Sequence, residues 1–120
     1  VQRSENDSYM PGRCEFPGGK LDGNENFEDC LAREVNEETS LRARNPLLIG
    51  APILSRVCSE KVVRFISFHY LVEEYYGTVM LSKEHQKAMW LSVDEALRMD
   101  FIEPSKGVLE MLLQRIEALR

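Results

Sequence analysis

Between Phe27 and Glu38 the sequence sets two glutamates on the face that a helix would bury. With Phe27 at zero and about 100° per residue, Cys30, Leu31 and Val35 fall at roughly 300°, 40° and 80°, which marks the apolar arc. Glu34 and Glu38 fall at roughly 340° and 20°, inside that arc, while Asp29, Ala32 and Asn36 take the outer side. A solvated charged face would put the acids opposite Phe27, Leu31 and Val35. Like charges one turn apart repel, and a desolvated carboxylate without a partner costs several kcal/mol. Something positive must compensate them.

The surrounding charge points the same way. The chain carries 15 basic and 20 acidic residues, a formal charge of −5. From Gly19 to Leu41 lie seven acids, among them Asp22, Glu25, Glu28, Asp29 and Glu37 besides the two already named, against the bases Lys20 and Arg33. Outside that stretch acids and bases balance. Carboxylates, carbonyls and water suit a hard divalent cation, Mg²⁺ or Mn²⁺. Two histidines and three separated cysteines, Cys14, Cys30 and Cys58, offer neither a soft cage nor a disulfide framework, and point to a cytoplasmic setting. An acidic balance argues against duplex nucleic acid and an anionic membrane as partners. The longest mostly apolar run, Leu47–Leu54, is interrupted by Gly50 and Pro52 and is far short of the ~20 residues of a bilayer span.

The rest of the chain reads as one domain over residues 1–120, with helices and strands mixed. Val1-Gln2-Arg3 reads as the tail of a strand whose beginning is missing, so upstream residues are expected. Ser4–Gly12 is a loop, and Cys14-Glu15-Phe16 a short extended piece that stops at Pro17-Gly18-Gly19. Asn26 caps the acidic helix, with Glu28 and Asp29 in its first turn. Leu47–Val57 and Val62–Glu73 read as strands, the second apolar on both faces and therefore central. Met89–Leu91 reads as a short strand. Ser92 and Glu95 have capping-box spacing for a short helix to about Met99. A last helix follows Ser105, with Val108, Leu109, Leu112, Leu113, Ile116 and Leu119 as its apolar stripe.

These residues carry a family resemblance. Gly19, five residues, Glu25, seven residues, then Arg33-Glu34-Val35-Asn36-Glu37-Glu38-Thr39-Ser40-Leu41 closely resembles the Nudix box, G-x5-E-x7-R-E-U-x-E-E-x-G-U with U aliphatic; eight of its nine defining positions are filled. Ser40 stands where the pattern has its last Gly. That position is expected to be left-handed, where a Cβ costs on the order of 1 kcal/mol, but Ser40 removes no ligand. Phe16-Pro17-Gly18-Gly19-Lys20 looks like the family's lead-in, and Lys83-Glu84-His85-Gln86 with Trp90 is similar to a later loop and strand of MutT-like members.

The resemblance implies an α+β fold, a Nudix-type α/β/α sandwich with a mixed central sheet. It implies hydrolysis of a nucleoside diphosphate linked to another group, and a MutT-like member would convert a nucleoside triphosphate to monophosphate and pyrophosphate. By matching positions Glu34, Glu38 and the Gly19 carbonyl would hold metal, with Glu37 at the metal centre as ligand or base. Glu84 would bind metal or activate water, and Glu25 and Arg33 would hold loop and helix together. Lys20 is placed to touch a phosphate oxygen, and Arg3, Arg13, Arg56 and Arg64 are further candidate phosphate contacts. His69 reads as a core or pocket histidine, His85 as a loop residue, and Phe16, Tyr70 and Trp90 as core aromatics able to stack on a base. The partner expected is a small nucleotide, and a homodimer is left open. The alternative from another class is a nucleotide-sensing or partner-binding domain without turnover.

Overall fold

A computed structural model describes residues 1–119 and shows the mixture of helices and strands expected from the sequence. The elements are β1 (Gln2–Arg3), α1 (Phe27–Thr39), β2 (Arg42–Arg44), β3 (Leu47–Gly50), β4 (Ile53–Cys58), β5 (Lys61–Ile66), β6 (His69–Leu71), β7 (Glu74–Tyr76), β8 (His85–Lys87), α2 (Val93–Leu97) and α3 (Ser105–Ala118). Among the described residues no helix is long and apolar enough to cross a membrane.

The six strands from β2 to β7 nest as one interrupted antiparallel hairpin. Arg42 pairs with Tyr76, Leu47 with Leu71, Ile53 with Ile66 and Cys58 with Lys61. Pro46 and Pro52 lack the N–H that would continue the ladder, so each marks a break. The Ser67 amide bridges the second break by donating to the Pro52 carbonyl at 2.9 Å. Ser59 and Glu60 close the tip with φ of 49° and 65°, the backbone twist that suits a tight hairpin turn. The two long strands read from the sequence are therefore one hairpin cut by proline. The centrality expected for Val62–Glu73 does not hold at the tip, where Val57 and Val62 are 75% and 69% exposed.

Two further corrections concern the last third of the chain. Met89–Leu91 forms no strand; the extended pairing comes earlier, where β8 runs antiparallel to β1 and polar His85–Lys87 gives no apolar alternation to reveal it. Helix α2 ends at Leu97, two residues before the expected stop, on the predicted capping box of Ser92 and Glu95. The α3 stripe is buried only at Val108 and Leu109; Leu119 lies in the open. The core gathers Cys14, Ala96, Phe101 and Leu109, with Phe16, Met89, Leu91 and Val93 packed on it. Cys14 bridges antiparallel to Gln2 and parallel to Phe101, so one extended residue ties the N-terminal strand to the C-terminal helical pair. That contact fixes the segment leading into Pro17-Gly18-Gly19.

Candidate active site

Helix α1 begins where the Asn26 side chain accepts the Asp29 amide at 2.8 Å, satisfying one of the first-turn donors. It ends at Ser40, whose φ of 66° is the left-handed position expected from the box, and the Ser40 amide donates to the Asn36 carbonyl. Two more of its end carbonyls are taken by the chain that follows β7. Met80 donates its amide to the Thr39 carbonyl at 2.8 Å, and Ser82 to that of Glu38 at 3.1 Å. The C-terminal cap of α1 thereby brings the 80–84 segment, and Glu84 with it, alongside the helix.

A cleft of about 420 Å³ opens there, lined by Gly18, Gly19, Lys20, Glu34, Glu38 and Glu84, among others. Five positions expected at the site thus meet in one place from three separate stretches of chain. Glu38 is the deepest, 5% exposed, and its carboxylate accepts the Gly18 amide at 2.8 Å. Burial pushes its carboxyl up to about 7; the Gly18 amide and His85 oppose the rise, and Glu34 and Glu15 add to it. Gly19 runs against Glu34 so closely that a Cβ at Gly19 would sit 2.6 Å from Glu34 Oε2. Only glycine lets backbone and carboxylate share this space.

Arg33 organises the other acids. Its fork donates to Glu25 Oε1 at 2.7 Å and Oε2 at 3.1 Å, while Nη1 reaches Glu34 at 2.7 Å and Glu37 at 3.2 Å. Nη2 also donates to the Lys20 carbonyl at 3.1 Å, which ties the loop to the helix. Arg33 holds the Glu25 carboxyl down at about 2, and Glu25 and then Glu34 raise the guanidinium in return. Glu37, expected at the metal centre, is not among the residues that line the cleft; its side chain is 59% exposed and is held by Arg33.

Arg3 lies elsewhere. Its guanidinium donates to Asp7 at 2.7 Å, Glu15 at 2.9 Å and the Tyr9 carbonyl at 2.8 Å. Glu15 in turn lies 2.8 Å from His85 Nε2. Its carboxyl is lowered: burial opposes this, but His85 and Arg3 prevail, so Glu15 is the acceptor and His85 Nε2 carries the proton. Ligand atoms of Glu15, Glu38 and His85 lie within 4.8 Å of one another. The sequence assigns no site role to Glu15, and His85, expected in a loop, is instead buried at the start of β8. Their signals were adjacency: Glu15 one residue before Phe16-Pro17-Gly18-Gly19, His85 one after Glu84.

The donor set fits a hard divalent cation on structural grounds. The Glu38 carboxyl is raised first by burial, with Glu34 and Glu15 adding to it, and the Gly19 backbone lies against the Glu34 carboxylate where a Cβ would collide with it, so oxygen donors converge with little water around them. Arg33 is the one cation bonded to either acid among the described residues.

A NUDIX domain model matches residues 1–112. The chain is similar to the CTP pyrophosphohydrolase of Escherichia coli strain K12, 32% identical over 93 residues, covering 76% of this chain and 64% of that protein. It is 36% identical over 92 residues to the 8-oxo-dGTP diphosphatase of Haemophilus influenzae, covering 76% of this chain and 62% of that protein. The chain therefore spans under two thirds of the length of these curated relatives. Among solved structures, the solution structure of the E. coli ORF135 protein superposes with a TM-score of 0.70 at 25% identity, over 98% of this chain and 80% of that one. The fold, the box and its geometry, and these similarities agree: the chain belongs to the Nudix domain family.

Proposed function

We propose that this protein hydrolyses a nucleoside triphosphate to the monophosphate and pyrophosphate, with Mg²⁺ as the cofactor and Mn²⁺ as a substitute. The observation that carries this reading is the convergence of Gly19, Glu34, Glu38, Glu84 and Lys20 on one cleft. Glu34, Glu38 and the Gly19 carbonyl would hold metal, with Glu37, tethered to Arg33, as a further ligand or base. Bound divalent ions supply charge neutralisation for the phosphates and acidify a coordinated water.

The chain's own residues do the rest. Lys20, exposed beside the glycines, binds a phosphate oxygen as a point charge, and Gly18-Gly19 lets the backbone approach the ligand. Glu84 takes the proton of the attacking water as its oxygen adds to phosphorus at the α–β bridge; the bridging P–O bond breaks, its electron pair leaves with the bridging oxygen, and the nucleoside monophosphate and pyrophosphate separate. Glu25 and Arg33 keep Glu34 and Glu37 in register. Arg3 reaches phosphate only if it leaves Asp7 and Glu15. The three thiols are all unpaired, which suits a cytoplasmic setting.

The test is a panel of nucleotides with Mg²⁺, products resolved by ³¹P NMR. Monophosphate with pyrophosphate is expected. Orthophosphate alone, or turnover only of nucleotide sugars or dinucleotides, refutes the substrate class. Tight nucleotide binding without turnover makes this a sensing domain.

A further inference from the structure

We propose that Arg3, Glu15 and His85 form a positioning brace that holds the Glu84 loop against Glu38 and so sets the spacing of the catalytic carboxylates. The inference rests on the nucleotide-hydrolase reading for the roles of Glu38 and Glu84, but none of its three members is in the Nudix box.

His85 lies opposite Arg3 in the β1–β8 ladder, and its side chain is 1% exposed. It is the residue after Glu84, so wherever its ring is fixed the Glu84 backbone follows. Besides the ladder, bonds tie this stretch to the N-terminal segment: His85 Nε2 to Glu15 at 2.8 Å, the Ser4 amide to the Glu84 carbonyl at 3.0 Å, and Gln86 Nε2 to the Arg3 carbonyl at 2.9 Å and to Glu5 at 3.3 Å. On the other side the Ser82 amide holds the Glu38 carbonyl. The segment 82–86 therefore spans from the end of α1 to β1, with Glu84 between its two anchors.

Glu15 is the keystone of the anchor on the β1 side. Its carboxylate takes Arg3 Nη1 at 2.9 and 3.2 Å as well as His85, while Asp7 and the Tyr9 carbonyl fix the rest of the Arg3 fork. Arg3 thus offsets the charge of Glu15, which would otherwise face Glu38 unshielded within the same 4.8 Å cluster. Packing alone does not account for a histidine at position 85. Its Nδ1 is buried and has no hydrogen-bond partner among the described residues, a cost that an apolar ring of similar size avoids. What an apolar ring cannot do is bond Glu15.

The experiment uses the full chain with Mg²⁺ and whichever common nucleoside triphosphate the parent turns over fastest. His85→Phe and Glu15→Ala should each lower kcat by roughly 10²-fold with KM nearly unchanged, as expected for catalytic groups displaced by about an ångström. Glu15→Gln keeps an oxygen for His85 Nε2 and should recover at least about tenfold of that loss, which mere loss of fold stability would not produce. Mn²⁺ affinity, read by EPR without nucleotide, should fall about tenfold in His85→Phe. The proposal is overturned if folded His85→Phe keeps the parental kcat, or if KM rises instead while kcat holds, which makes the group a substrate contact. If His85→Phe does not fold, equal losses in Glu15→Ala and Glu15→Gln overturn it. If the parent hydrolyses no nucleoside triphosphate, the nucleotide reading fails by itself, and unchanged Mn²⁺ affinity in the variants then overturns the brace.

Discussion

The Gly18 amide donates to the buried Glu38 carboxylate at 2.8 Å, the one hydrogen bond to that carboxylate among the described residues, and burial pushes the carboxyl up to about 7. The folded state therefore binds a proton more tightly than the unfolded chain, whose glutamate sits near 4.5. Stability from this group is fully present below about pH 4.5 and is lost as pH rises through about 7. In the metal-free protein the loss between these limits is about 3 kcal/mol. Glu38→Gln should remove that slope, so that in EDTA at pH 8 the variant melts at or above the parent. Denaturant titrations at several pH values measure this. A steeper slope in the variant would contradict it.

Gly19→Ala puts a methyl group into the Glu34 carboxylate. Because the obstructed atoms are the far end of a flexible side chain, the fold should survive with little change in melting temperature. Glu34 must move, however, and turnover should fall at least tenfold with weakened Mg²⁺ activation. Steady-state kinetics across Mg²⁺ concentration check it.

Ser40→Gly tests the departure from the box. At a φ of 66° a Cβ costs on the order of 1 kcal/mol, and the exposed Ser40 hydroxyl returns only part of this through its 3.0 Å bond to the Met80 carbonyl. The variant should melt a few degrees higher, with kcat unchanged. Differential scanning calorimetry reads the first and an activity assay the second.

Glu84→Gln keeps the shape of the one cleft acid outside the box. Loss of a proton acceptor predicts a kcat lower by about 10²-fold, with the loss smallest at high pH where hydroxide substitutes. Full turnover across pH 7 to 9 reassigns the proton to Glu37.

Much of the site was legible because helical periodicity is a local property. The wheel placed Glu38 and Cys30 on the inner face, where both are buried, and Glu34 beside them half-buried, but its reference residue Phe27 lies 45% exposed at the first turn; the left-handed stop at Ser40 followed from the missing glycine. The Arg33 bonds to Glu25 and Glu37 join residues eight or fewer apart, within reach of the same reasoning. Glu15 and His85 are 70 residues apart, and only the β1–β8 pairing brings them together. His85 sits among polar neighbours, so nothing in its own segment signals burial. The ion pairs that engage Arg3, a candidate phosphate contact, are not visible in the sequence, because Asp7 and Glu15 reach it across a loop whose path the sequence does not reveal. The hairpin from β2 to β7 was visible as two apolar runs, but its breaks depend on where Pro46 and Pro52 meet the ladder. Its exposed tip depends on the absence of a neighbouring strand among the described residues, which no alternation of side chains records.

The most direct test of the central claim is pyrophosphate release from a nucleoside triphosphate by the parent and by Glu38→Gln, each with and without Mg²⁺. The account predicts Mg²⁺-dependent release by the parent, a loss of at least about 10²-fold in the variant, and a Mg²⁺-induced rise in melting temperature that the variant largely lacks. Equal release by parent and variant, or release indifferent to Mg²⁺, would contradict it.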